Sequence, residues 1–116
     1  MRVFVYYNLH RHTWSIKALE GPLKGRVIGH SDTVLLANAT GKVSEAGRQR
    51  VLREKRKNVH AGIVGTLVHR ESEGYFPGLQ VTYNPYKYTS FVYSDTETEY
   101  TGSQFAYMAH KRVHVL

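Results

Sequence analysis

SEAGRQRVLREKRKN, Ser44 to Asn58, is the one stretch of the chain that reads clearly as a helix, and it divides two runs of short strands. Ser44 is a good N-cap, because its hydroxyl can accept from the free amides of the first turn. Glu45 sets negative charge at the positive end of the helix dipole, and Lys55, Arg56 and Lys57 set positive charge at the other. Asn58 tolerates the left-handed conformation that ends a helix. Val51 and Leu52 make a narrow apolar stripe that Val59 would extend. Arg50, Arg53, Arg56 and Lys57 share the opposite arc. Arg48 and Lys55 border the stripe, so their stems are expected to lie along a sheet with their heads at its edge. This pattern predicts a surface helix held by few residues, its basic face open. A helix running on to about Val64 is the competing reading.

From Arg48 to Lys57 there are six cationic side chains and one acid, Glu54. Charge of a single sign cannot be neutralised by pairs four residues apart, and its self-repulsion destabilises the helix unless an anion sits there. The plain alternative is a solvated face with no ligand. The whole chain of 116 residues carries a formal charge of +7, from 16 cationic and 9 anionic residues. Such a balance favours nucleic acid, nucleotides or anionic surfaces as partners. The length fits a single domain, residues 1–116. No cysteine is present, which excludes disulfides and cysteine zinc sites. No apolar run approaches membrane-spanning length, and MRVFVYY lacks the features of a signal peptide, so the protein is expected to begin at Met1 and stay inside the cell.

Working outward from the helix, Arg2 to Asn8 and Thr13 to Leu19 alternate as a hairpin. In the first strand Val3, Val5 and Tyr7 share a face; in the second Trp14, Ile16 and Ala18 point in and Ser15 and Lys17 out. Arg26 to Ile28 and Thr33 to Ala39 follow as strands, and Thr40-Gly41-Lys42 leads into the cap. Beyond the helix, Val59 to His69 reads as a buried strand and residues 70–78 as a polar loop. Leu79–Tyr83, Lys87–Ser94, Glu99–Thr101, Gln104–Met108 and Arg112–Val115 read as further strands. The class is α+β: an antiparallel sheet, strongly twisted or partly closed, with one main basic helix.

Two further segments carry candidate chemistry. In Gly21-Pro-Leu-Lys24-Gly25-Arg26 the glycines let backbone amides approach an anion, and Lys24 and Arg26 supply charge. The spacing is not that of a P-loop, and an ordinary hairpin connection is the simpler reading. In Tyr83-Asn84-Pro85-Tyr86-Lys87-Tyr88, Tyr83, Tyr86 or Tyr88 could stack a base and Asn84 could hydrogen-bond its edge. The alternative is a turn whose tyrosines cover the sheet edge. The histidine pairs His10/His12 and His110/His114 have no nearby carboxylate, so surface histidines are expected rather than a metal site. No paired carboxylates, triad or nucleophile elbow stands out; the expectation is no enzyme and no cofactor, with a metal-free His/Lys ribonuclease as the exception to test.

FVYYNLHR (Phe4–Arg11), KVSEAGRQRVLREKRKNVHA (Lys42–Ala61) and VTYNPYKY (Val81–Tyr88) together resemble a family of small proteins encoded by tailed bacteriophages. The resemblance spans most of the chain. It implies the cytoplasm of an infected bacterial host and brings no activity with it. Small phage proteins of this sort bind host components, regulate nucleic acid or neutralise host defences, and some are sponges that sequester nucleotide signals.

The residues support a non-enzymatic protein that binds a phosphate-bearing nucleotide, in one form a counter-defence sponge. Arg48, Arg50, Arg53 and Arg56, with Lys24 and Arg26, would hold phosphates, since the planar guanidinium fork matches phosphate oxygens. Enclosing a small ligand with so short a chain implies a homo-oligomer. The first alternative is a nucleic-acid-binding regulator that lays the helix along phosphates. The second is an inhibitor of an acidic host protein.

Overall fold

The computed structural model describes residues 1–69 and 78–116. Among these, nine strands form one antiparallel sheet with a single helix. The elements are β1 (Arg2–Asn8), β2 (Thr13–Ala18), β3 (Val27–Ser31), β4 (Thr33–Val43), α1 (Glu45–Glu54), β5 (Ala61–Leu67), β6 (Leu79–Thr82), β7 (Val92–Tyr93), β8 (Ser103–Ala109) and β9 (Arg112–Val115). The strand order is β3-β2-β1-β5-β4-β8-β9-β6-β7. The loop expected over residues 70–78 lies, but for Gly78, outside the described residues.

One connection shows how the sheet must bend. Asp32 alone joins β3 to β4, yet the two are four places apart in the sheet order. Four inter-strand spacings in a flat sheet come to roughly 19 Å, and the step from Ser31 to Thr33 spans at most about 7 Å. The sheet therefore curls until β3 returns beside the start of β4. The long strand β4 serves both parts: Thr33–Ala39 pairs with β8, and Leu36–Val43 with β5. It kinks at Asn38, where a β-bulge shifts the register to β5 and the residue takes φ 51°. The extra residue moves the buried parity from Val34 and Leu36 to Ala39. The curled sheet covers its own apolar face. Val3, Val5 and Trp14 from one side and Val81, Val113 and Val115 from the other belong to a single core cluster, while α1 adds only Val51 to the buried set.

Several sequence expectations are corrected. The helix ends at Glu54, with Lys55 rather than Asn58 in the left-handed conformation (φ 57°, ψ 31°). The cause is loop closure. The Ser44 amide donates to the His60 carbonyl at 2.8 Å, so the chain must return to where it left. Ten helical residues carry it about 15 Å outward; residues 55–60 then suffice to come back, whereas a helix to Asn58, or on to Val64, would leave too few. The strand that follows starts at Ala61 rather than Val59. Thr40–Lys42 is not a lead-in but part of β4. The strand expected over Lys87–Ser94 shrinks to Val92–Tyr93, because the Asn84 carbonyl accepts from Lys87 and Tyr88 amides at 3.0 and 2.8 Å and turns the chain. Glu99–Thr101 contributes a single bridge, Val92 to Glu99. Ser15 does face away from the core, opposite Tyr6, yet it is 0% exposed. Asn8 Nδ2 donates to its hydroxyl at 3.1 Å, and His30 Nδ1 lies 2.9 Å from it.

Candidate functional site

The Ser44 cap forms as the sequence implies, its hydroxyl accepting from the Gly47 amide at 3.2 Å. Glu45 accepts from Gln49 Nε2 at 2.8 Å and from Arg48 at 3.1 Å. The Gln49 hydrogen bond first, then the Arg48 charge and hydrogen bond, hold its carboxyl below the ordinary range against the opposing effect of burial. α1 lies against His60, the residue before β5, at Gly47, where an added Cβ would sit 2.5 Å from His60 Cβ.

The helix and the tyrosine turn, far apart in sequence, are brought together. Arg48 Nε donates to the carbonyls of Pro85 (3.1 Å) and Tyr88 (2.9 Å), and only 14% of its side chain is exposed. Lys55 Nζ lies 5.8 Å from the centroid of the Tyr86 ring, which stands 56% exposed. Asn84 shapes the turn, its Oδ1 accepting from the Tyr86 amide at 2.9 Å. Tyr88 donates to Glu97, and Lys87 pairs with the same carboxylate at 3.8 Å. Tyr83 is built into the structure, its ring 5.4 Å from both His60 and Phe91. His60 Nδ1 faces two acceptors on Asn58, the carbonyl and Oδ1, each at 3.1 Å. That fixes Nδ1 as donor, so in the neutral ring Nε2 accepts from the Tyr83 hydroxyl at 2.7 Å. Burial raises the Tyr83 pKa above its ordinary value, consistent with a hydroxyl that keeps its proton.

The predicted phosphate ligands therefore divide. Arg48 is committed to backbone carbonyls and Glu45. Arg50 pairs with Glu54 at 2.6 Å on an open surface. Arg53 and Arg56 are exposed, as is Lys57, and none has an ion-pair partner among the described residues. Lys24 and Arg26 are exposed too, but their loop lies at the other end of the strands. Arg26 bonds to Ala18, which pairs with Val3, whereas α1 springs from the Val43–Ala61 end. Strand spacings separate the two by on the order of 20 Å along the sheet, so the structure does not gather them into one site. Free positive charge thus concentrates at the C-terminal end of α1 and the segment after it. The helix dipole there is negative, so an anion would be held by side chains rather than by helix amides.

One feature escaped the sequence reading. A cavity of about 420 Å³ opens where the β1–β2 hairpin meets the β3–β4 junction and the β8–β9 hairpin, with Tyr7, Trp14, His12, Asp32, His110 and Lys111 in its wall. His12 and His110 come from different sequence pairs, and no spacing rule joins them. Among the described residues no group of His, Asp or Glu is arranged to hold a metal ion, and no helix is long and apolar enough to cross a membrane.

No solved structure matches the chain. It is similar to the Gene 82 protein of Mycobacterium phage L5, with 48% identity over 115 residues that cover 94% of this chain and 90% of that protein. Residues 1–116 match the family described as the Mycobacterium phage L5 gene 82 protein. The chain belongs to that phage protein family.

Proposed function

We propose that this phage protein is a non-enzymatic nucleic-acid binder that lays the C-terminal half of α1 and the residues after it along the phosphate backbone. One observation carries the reading: Arg53, Lys55, Arg56 and Lys57 are exposed with no carboxylate partner among the described residues, and Lys55 reaches the exposed ring of Tyr86. Exposed side-chain cations suit an extended polyanion, which needs no enclosure. Tyr86 adds a flat face for an unpaired base. Sequestration of a small nucleotide, the sponge reading, needs a concavity around these arginines. The cavity described above lies among other residues.

The test is fluorescence anisotropy with single- and double-stranded oligonucleotides across a salt series. The logarithm of the affinity should fall linearly with the logarithm of salt concentration, with a slope that reports the number of phosphates neutralised. Arg53→Ala should weaken binding to all sequences alike and reduce that slope by about one. Absence of binding even at low salt would overturn the reading and move the basic face to an acidic host protein.

A further inference from the structure

The cavity between the two hairpin ends and the β3–β4 junction carries three independent marks. Its wall holds backbone strain: of the six non-glycine residues with positive φ among the described residues, His12 (55°), His110 (52°) and Lys111 (65°) all line it. Two left-handed residues in succession make a hairpin turn that favours asparagine and glycine, and here histidine and lysine stand instead. Such strain persists where side chains are needed in place. The buried side-chain polar atoms without a hydrogen-bond partner among the described residues are Thr13 Oγ1 and Trp14 Nε1, and both residues line the same cavity. The charges on its rim stay apart. Lys111 and Asp32 both line it, yet they form no ion pair within 4.0 Å, and Lys111 Nζ instead lies 5.6 Å from the centre of the Tyr7 ring.

Part of the wall is aromatic, Trp14 meeting Tyr7 edge to face at 5.3 Å and 80°. A volume of about 420 Å³ lies within the range of small-ligand sites. A ligand that satisfies this wall has a flat ring for the aromatic side, an anionic group for Lys111 and the imidazoles of His12 and His110, and N–H donors for Asp32. Two adjacent N–H donors match the two oxygens of a carboxylate, and the guanine edge presents such a pair where adenine does not.

We propose that this cavity binds a purine nucleoside monophosphate, with its base against Tyr7 and Trp14, its phosphate on Lys111 and a guanine edge on Asp32. The site is separate from the basic helix and does not depend on the nucleic-acid reading.

Trp14 is the sole tryptophan, so its fluorescence and its indole N–H resonance report on the wall of this cavity. Titration of the full chain with GMP should shift both saturably. AMP should bind more weakly, and guanosine and inorganic phosphate weaker still. Lys111→Gly suits the left-handed backbone, so it removes the cation while keeping the fold; it should weaken GMP by about tenfold and raise the thermal midpoint. Asp32→Asn should abolish the preference for GMP over AMP. Arg53→Ala should leave the titration unchanged. No shift at millimolar nucleotide, or a shift indifferent to Lys111→Gly, overturns the proposal. A shift lost in Arg53→Ala and kept in Lys111→Gly also overturns it, by placing the ligand on the helix.

Discussion

Two arginines of one helix, five residues apart, have different work. Arg48 donates to two backbone carbonyls across the gap to the tyrosine turn and to Glu45. Arg48→Ala leaves those carbonyls without their donor, and chemical denaturation should show a loss of about 2 kcal/mol. Arg48→Lys should recover only part of it, since one ammonium cannot reproduce the guanidinium fork. Arg53 has no ion-pair partner among the described residues, so Arg53→Ala should leave stability within about 0.5 kcal/mol of the parent while lowering the salt dependence of nucleic-acid binding. Denaturation and salt titration of the same two variants thus separate the arginine that holds the turn from the one that meets the ligand. A charge run in a sequence cannot make this distinction. Both residues sit among the same cations, and the carbonyls that claim Arg48 lie 37 and 40 residues further along the chain.

At the scale of the helix, propensity and packing disagree at Gly47. Alanine is favoured over glycine in a helix interior by roughly 1 kcal/mol, yet a Cβ at this position would stand 2.5 Å from His60 Cβ. His60 cannot yield easily, because its ring bonds to Asn58 on one side and Tyr83 on the other. Gly47→Ala should therefore lower the thermal midpoint and disturb the Tyr83 hydroxyl environment, against the forecast from propensity. The start of α1 was legible because capping is local: Ser44 accepts from the Gly47 amide and Glu45 sets its charge beside the same turn. Its end was not, because the backbone bond between Ser44 and His60 decides how far the helix can run. The same contrast holds for the candidate site. The helix cations and Tyr86 could be named from the chain, whereas the hairpin cavity is assembled from residues that only the curled sheet brings together.

For the whole molecule, most strand positions followed from alternation, but the curl depends on the bulge in β4, which alternation cannot foresee. Asn38 is left-handed there (φ 51°), a conformation asparagine and glycine tolerate and β-branched residues resist. Asn38→Val should destabilise by about 1–2 kcal/mol, while Asn38→Gly should fold with the curl intact, as denaturation and near-ultraviolet dichroism would show. Titration then sets the pH range over which the curled sheet holds. His114 lies on β9 between Gln80 and Tyr107. Burial first, then the charges of Arg112 and His110, depress its pKa below the ordinary 6.5. Below that value the unfolded chain takes up a proton the folded chain resists. The unfolded state then holds more protons, so stability rises with pH and is lost on acidification. At the other extreme, burial raises the pKa of Tyr83 and Tyr100 above the ordinary 10.0. Above that value the unfolded chain gives up protons first, and stability falls as pH rises. Denaturation midpoints should therefore form a plateau between about pH 7 and pH 10 and decline on both sides. His114→Gln should flatten the decline just below the plateau and leave the alkaline one untouched. An acid limb unchanged in that variant would assign it to other groups and remove His114 from the account.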